Sequence, residues 1–245
     1  MTTIDLKGKV ALVTGSARRV GKAIALELAR QGMHQVIHHS KSQSEAQETV
    51  RQAEALGVQA VALKADLTQA DEVQRLFEDV EQRFQRLDVL VNSASTFTSG
   101  SFAEMLLADW QATLDINLTA PFLCSQHAAH LMGDSGGSII NILDLSALQP
   151  WKSYPAHTVS KAALKALTEV MALSLAPGIR VNAIVPGPVL RDDSNSPEQW
   201  EKIGMWLPLG HTGDPADVAQ AVVFLASQPF LTGTILRVDG GDYLR

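Results

Sequence analysis

A single cysteine, Cys124, in 245 residues excludes an intrachain disulfide framework and a cysteine-cluster metal site. It falls in an apolar helical stretch, where a small core residue is expected. Tyrosine is almost as scarce, with Tyr154 and Tyr243 the two in the chain. No apolar run reaches the ~20 residues of a membrane-spanning helix. The start, Met1-Thr2-Thr3-Ile4-Asp5, runs into a strand pattern without a signal-peptide motif, so a cytoplasmic location is expected. Positive charge is not in excess. The net is −6 and the basic residues are scattered, so neither nucleic acid nor an anionic membrane is an expected partner. His38, His39, His127, His130, His157 and His211 show no ligand spacing, and no metal is expected.

What the chain does have is 46% hydrophobic residues, enough for a substantial core, and no linker to divide it. Strand and helix patterns alternate from end to end. Val10 to Val13, Gln35 to His39, Ala60 to Leu63, Leu87 to Val91, Ile139 to Leu143, Ile179 to Val185 and Thr234 to Val238 read as strands. Gly21 to Gln31, Ser44 to Leu56, Gln69 to Arg86, Ala108 to Leu131, Tyr154 to Leu175 and Asp214 to Ser227 read as helices. Buried strands with helical crossovers predict one Rossmann-type α/β domain over 1–245. Its doubly wound parallel sheet has about seven strands, with helices on both faces. Such sheets bind ligands at the strands' carboxyl ends, here the loops after Val13, His39, Val91, Leu143 and Val185.

The first of these loops reads Thr14-Gly15-Ser16-Ala17-Arg18-Arg19-Val20-Gly21. Gly15 permits a tight turn, Gly21 permits close helix–strand packing, and the new helix points its amino end at a pyrophosphate. A plain strand–helix turn is the blander alternative. After the second strand the acid that would grip a free ribose 2′-hydroxyl is missing. His39-Ser40-Lys41-Ser42 stands there instead, a hydroxyl–cation cluster suited to a 2′-phosphate, with Arg18 or Arg19 as a second cation. NADPH is therefore expected over NADH. Asp66-Leu67 offers a carboxylate to an adenine amino group; its plainer role is a helix N-cap near Thr68. The small residues of Asn92-Ser93-Ala94-Ser95 let backbone approach a ribose.

The stretch Asp144 to Lys161, DLSALQPWKSYPAHTVSK, has the frame of a hydride-transfer site. Lys161 lies four residues after His157, so the two share a helix face. Together with TGSARRVG, Asp66-Leu67, the NSAS segment, Asn117, Asn182, Pro186-Gly187 and Val238-Asp239-Gly240-Gly241, this stretch resembles the short-chain dehydrogenase/reductase family over nearly the whole chain. Within it the chain is similar to the pteridine reductase branch. Arg19 stands where most members carry glycine, and Asp144 where they carry a catalytic serine. Ser95-Thr96-Phe97 resembles a segment whose serine hydrogen-bonds the pterin and whose phenylalanine stacks on it. The resemblance implies a pterin substrate contacted by Arg19, Ser95, Phe97 and Asp144. It also implies a nicotinamide ribose held by Lys161, cofactor contacts from Pro186 and Gly187, and a water held by Asn117. It further implies a homotetramer in which Arg245 reaches a neighbouring active site. An ordinary core aromatic is the plainer reading of Phe97.

The chain departs from the family at two points. Ser93 stands where a second asparagine is common. More importantly, His157 replaces the proton-donating tyrosine four residues before the lysine. Three donors remain: His157 first, although a nearby lysine cation disfavours imidazolium; then Asp144 through a water; then Tyr154, one turn earlier and at the helix start ahead of Pro155. Three functions stay open. They are an NADPH-dependent reductase of a pterin, a reductase or dehydrogenase of another carbonyl compound, and an NADP-binding oligomer whose catalysis was lost with the tyrosine. Residues 188–208, with a polar stretch Arg191 to Ser196 before Trp200, Met205 and Trp206, suit a substrate lid or a plain surface helix.

Overall fold

In the first strand every side chain is buried, because the strand is covered on both faces. The computed structural model describes residues 3–192 and 195–245. Its strands are β1 (Val10–Val13), β2 (His34–His39), β3 (Ala60–Lys64), β4 (Val89–Asn92), β5 (Gly137–Ile142), β6 (Ile179–Pro186) and β7 (Ile235–Val238). Its helices are α1 (Arg19–Arg30), α2 (Gln43–Glu54), α3 (Ala70–Phe84), α4 (Leu107–Leu114), α5 (Ala120–Met132), α6 (Pro155–Ser174), α7 (Pro197–Trp206) and α8 (Pro215–Ser227). Ala11 and Val13 of β1 pack on one face with Ile24 and Leu28 of α1 and Val218 and Val222 of α8. Val10 and Leu12 pack on the other with Val73 and Phe77 of α3 and Cys124 of α5. Two-sided burial is why the strand sequences are continuous apolar runs rather than alternating ones.

The seven strands form one parallel sheet in the order β3-β2-β1-β4-β5-β6-β7. The expected Rossmann-type sheet is thus observed. The order reverses beside β1, and the crevice between the carboxyl ends of β1 and β4 is where such sheets hold ligands. Thr14 ties that crevice together. Its hydroxyl oxygen accepts from Ser93 N at 2.9 Å and Ala94 N at 3.0 Å. Cys124 is a core residue, and burial pushes its thiol pKa up to about 12.

Two expectations need correction. The single helix read over Ala108 to Leu131 is broken into α4 and α5 by a π-helical turn at Asp115–Thr119, ahead of a first α5 turn that carries Pro121. A π turn inserts an extra residue and re-aims the side chains around it; here it faces Asn117 inward, 1% exposed. Asp66 does not cap α3, whose N-cap position is Gln69. The Asp66 carboxylate instead accepts from Thr68 N at 3.0 Å and Thr68 Oγ1 at 2.8 Å, closing a turn before the helix. In the stretch read as a lid, Ser196 and Gln199 form a capping box that starts α7. Asp193 and Ser194, part of its polar lead-in, lie outside the described residues.

Candidate active site

The loops at the carboxyl ends of the strands enclose a cleft of about 860 Å³. At one end lies the turn after β1. Gly15 has φ +67°, and a Cβ on it would stand 3.0 Å from the Ala94 Cα. A Cβ on Gly21 would meet the Gly15 carbonyl oxygen at 2.6 Å, so the strand–helix turn closes only with glycine there. Arg19 also has a positive φ, 56°, a conformation that L side chains adopt at a cost. A glycine is free at such a position, so the backbone of the turn is kept while a guanidinium is added.

His38, which the sequence places within the second strand without a role at the site, braces this turn from beneath. Gly15 N donates to His38 Nδ1 at 3.0 Å. Nε2 must then carry the proton, and it donates to Ala65 O at 3.1 Å. One neutral ring thus joins the loops after β1 and β3. Burial pushes its pKa down to about 4, against the opposing pull of the Ala65 carbonyl.

Most of the expected cofactor residues line the cleft: Gly15, Arg18, Arg19, Val20, Gly21, His39, Ser40, Lys41, Ser42, Asp66, Leu67, Ser93, Ala94, Lys161, Pro186 and Gly187. Asn92 does not. It is buried in β4 and donates to Asn141 Oδ1 at 2.8 Å and Ser125 Oγ at 3.1 Å, so its role is to join β4, β5 and α5. His39 Nδ1 is buried with no hydrogen-bond partner. A Cβ on Gly187 would lie 2.6 Å from the Asp239 Cα. Narrow glycine-lined backbone and an orphaned polar atom fit a cofactor with a pyrophosphate and an adenosine end.

At the other end, Asp144, His157, Lys161, Ser95 and Phe97 line the same cleft. Asp144 follows β5, and its Oδ1 accepts from Ser146 N at 2.9 Å and also from the Ser146 hydroxyl. Its Oδ2 takes a short hydrogen bond from His157 Nε2. Burial acts to raise the Asp144 pKa. Hydrogen bonds from His157 and Ser146 and the Lys161 charge outweigh that and hold the carboxyl below its ordinary value. Lys161, 4% exposed, donates to Ile142 O at 2.8 Å. Burial lowers its pKa, and the Asp144 charge works the other way.

Asn117 stands behind the cleft and fixes its wall. Its Oδ1 accepts from Thr96 N at 2.8 Å and Ser95 Oγ at 3.0 Å. Its Nδ2 donates to Thr96 O at 3.0 Å and Ser160 Oγ at 3.1 Å. The amide's usual bonding capacity is spent inside the protein. Tyr154 is the N-cap residue of α6, as the following proline suggested, and lies outside the cleft lining. Its ring packs on Phe97 at 4.4 Å, and Phe97 meets His157 edge-on at 4.2 Å. Trp151 stacks on His157 at 6.3 Å and joins this aromatic group. The sequence suggests Trp151 only as aromatic surface near the site or an interface, and in the structure it lines the cleft.

The far wall comes from the stretch after β6. Pro188, Val189, Leu190, Asp192 and, on α7, Ile203 line the cleft, as does Asp242. Arg245 is not among the lining residues. It pairs with Asp242 and donates to Trp206 O at 2.9 Å, fastening the last residues to α7. Among the described residues, no group of three or more histidine, cysteine or acidic side chains could hold a metal. No helix among them is long and apolar enough to cross a membrane.

Comparison with known proteins agrees with this geometry. A family model described as enoyl-(acyl carrier protein) reductase matches residues 15–242. The 3-oxoacyl-[acyl-carrier-protein] reductase of Synechocystis sp. is 37% identical over 241 residues, covering 96% of this chain and 97% of the relative. A 3beta-hydroxysteroid dehydrogenase of Eggerthella lenta is 36% identical over 246 residues, covering 97% and 94%. A doubly substituted short-chain dehydrogenase/reductase from Serratia marcescens superposes with a TM-score of 0.91 at 32% identity, covering 98% of this chain and 100% of that one. An acetoin dehydrogenase from Salmonella typhimurium gives 0.88 at 36% identity, covering 97% and 96%. The chain belongs to the short-chain dehydrogenase/reductase family and is an oxidoreductase of that type.

His38 gives the site a pH dependence with a definite sign. Its folded pKa, about 4, lies below the ~6.5 of an unfolded histidine. The unfolded chain therefore binds the extra proton between those values. The His38 contribution is complete above pH ~6.5 and is lost as pH falls towards 4, by about 3 kcal/mol in all. Urea unfolding at pH 7, 6, 5 and 4 should show the loss, and His38→Asn should flatten it. An equal slope in the variant contradicts the assignment.

Proposed function

We propose that the protein is an NADPH-dependent reductase of a flat, conjugated substrate of the dihydropteridine class. The observation that carries this reading is Phe97. It lines the cleft beside Asp144 yet stays 54% exposed, while its ring rests on Tyr154, Trp151 and His157. A core phenylalanine would not leave half its surface open; a stacking platform would. Ser95 on the same segment has its hydroxyl proton directed to Asn117, so its oxygen is open to accept from a ligand.

NADPH is favoured by Ser40, Lys41 and Ser42 next to the orphaned His39 Nδ1, with Arg18 and Arg19 lining the same cleft. When bound, its reduced nicotinamide supplies the hydride. Lys161 holds the adjacent ribose and adds positive charge beside Asp144. Asn117 keeps the Ser95–Thr96 backbone in place. Asp144 and His157 manage the proton that reduction consumes. The described part of residues 188–208, which lines the cleft through Pro188 to Leu190, Asp192 and Ile203, would serve as a lid over the substrate end.

Self-association into a homotetramer is supported by large exposed apolar side chains: Phe102, Leu107, Leu173, Phe230 and Leu244. Arg245 would then leave Trp206 O for a neighbouring cleft. A cytoplasmic setting accords with the nicotinamide chemistry.

The second reading is a reductase of another carbonyl compound. The activities named for the relatives, on 3-oxoacyl and 3β-hydroxysteroid compounds, favour it. Loss of catalysis with the family tyrosine is the third reading. The organised Asp144–His157 pair speaks against it, since a decayed site need not keep a buried histidine on a carboxylate.

NADPH oxidation, followed by absorbance with a panel of dihydropterins, quinones and ketones, separates the three. Turnover of a dihydropterin is expected. Turnover of ketones alone overturns the pterin assignment, and tight NADPH binding without any turnover overturns both reductase readings. For the cofactor, Lys41→Ala should weaken NADPH binding about tenfold, roughly 1.4 kcal/mol, and leave NADH nearly unchanged. Fluorescence titration measures both, and equal losses contradict a 2′-phosphate site.

A further inference from the structure

We infer that Asp144 is the group that hands the proton to the substrate, and that His157 is the buried reserve that reloads it. This deepens the reductase reading and rests on it.

The His157 side chain is 2% exposed and both of its ring nitrogens are engaged. Nε2 bonds to Asp144 Oδ2, and Nδ1 lies 3.1 Å from Thr96 O and 3.3 Å from Asn117 Nδ2. Asn117 Nδ2 has two hydrogens, and the shorter contacts to Thr96 O and Ser160 Oγ use them. Ser160 Oγ gives its own proton to His157 O at 2.7 Å, so it can accept. That leaves Nδ1 to donate to Thr96 O, which has a second lone pair. Both nitrogens then hold protons, one aimed at a carboxylate and one at a carbonyl.

In the familiar dyad, a carboxylate grips one histidine nitrogen and the other nitrogen meets the substrate. Here the other nitrogen is capped by backbone and buried. Both residues line the cleft, but the carboxylate is the more exposed, its side chain 19% against 2% for His157, and Oδ2 keeps a lone pair beyond the one His157 uses. The roles are therefore reversed. Lys161 of α6 acts on Asp144 by its charge, and Tyr154, the N-cap of α6, packs on the same Phe97 ring as His157; Arg19, Asp192 and Asp242 are further charged groups lining the cleft.

With NADPH bound, its hydride would supply the new C–H bond while the substrate double bond opens towards its nitrogen or oxygen. The Nε2–H bond breaks as Oδ2–H forms. Oδ2–H breaks as the product N–H or O–H forms. Asp144 is again a carboxylate, and His157 is a neutral imidazole still bonded to Thr96 O. One proton from solvent, entering through Asp144 after product leaves, restores the pair.

The test compares kcat against pH for the wild type, His157→Gln and Asp144→Asn, using NADPH and the most active dihydropterin. His157→Gln should lower kcat about 100-fold at neutral pH with KM within twofold, and activity should recover as pH falls and solvent reloads Asp144. Asp144→Asn should lose about 1,000-fold and recover at no pH. The opposite pattern, with Asp144→Asn retaining pH-dependent turnover and His157→Gln inactive throughout, overturns the inference. ¹⁵N NMR of the free wild-type protein should show both His157 nitrogens protonated, and Asp144→Asn should remove one proton. If no dihydropterin is reduced, the pterin reading falls and the spectrum decides alone: two protonated nitrogens uphold the pair, and an unprotonated nitrogen rejects it.

Discussion

The chemistry end of this protein hangs on one side-chain amide. Asn117 holds Thr96 by both its N–H and its carbonyl, and reaches Ser160 on α6. Thr96 O in turn meets His157 Nδ1, which aims Nε2 at Asp144. The loop after β4, the helix α6 and the loop after β5 are thereby placed by a buried network with little slack. The π-helical turn makes this possible by facing Asn117 into the protein. A regular helix through the same residues would aim that side chain elsewhere.

The cofactor end uses the same device with the opposite protonation. His38 also engages both ring nitrogens, but one partner is the Gly15 N–H, so the ring must accept there and stay neutral. His157 lies between a carboxylate and a carbonyl, and two donors suit it. Two buried histidines thus serve as a strut and, in the proposed mechanism, as a proton store, and the difference is set by what each ring faces. The strain at Arg19 belongs to the same end: a positive φ is kept where glycine is easier, in return for a cation at the cleft.

Much of this was legible in the sequence. Buried strands have a plain apolar signature, and the loops after β1, β2, β4, β5 and β6 all reach the cleft as the alternation implied. Gly15 and Gly21 were legible because a turn this tight closes only with glycine at those places. The break between α4 and α5 was not, because a π turn leaves no composition signal and Pro121 sits where a helix start accepts it. His38 was hidden inside a buried strand, and its partners, Gly15 and Ala65, come from two other loops. The direction of the His157 proton was also hidden. The sequence placed Lys161 near it, but the contact that matters is Asp144, thirteen residues away along the chain.

The most direct measurement is a crystal structure with NADP⁺ and a dihydropterin bound. The expected result has the pterin ring on Phe97, Asp144 Oδ2 within hydrogen-bond distance of the ligand, and His157 Nε2 still on Asp144. A structure in which His157 has turned from Asp144 to bond the ligand itself, or in which the ligand lies away from Phe97, would contradict the arrangement.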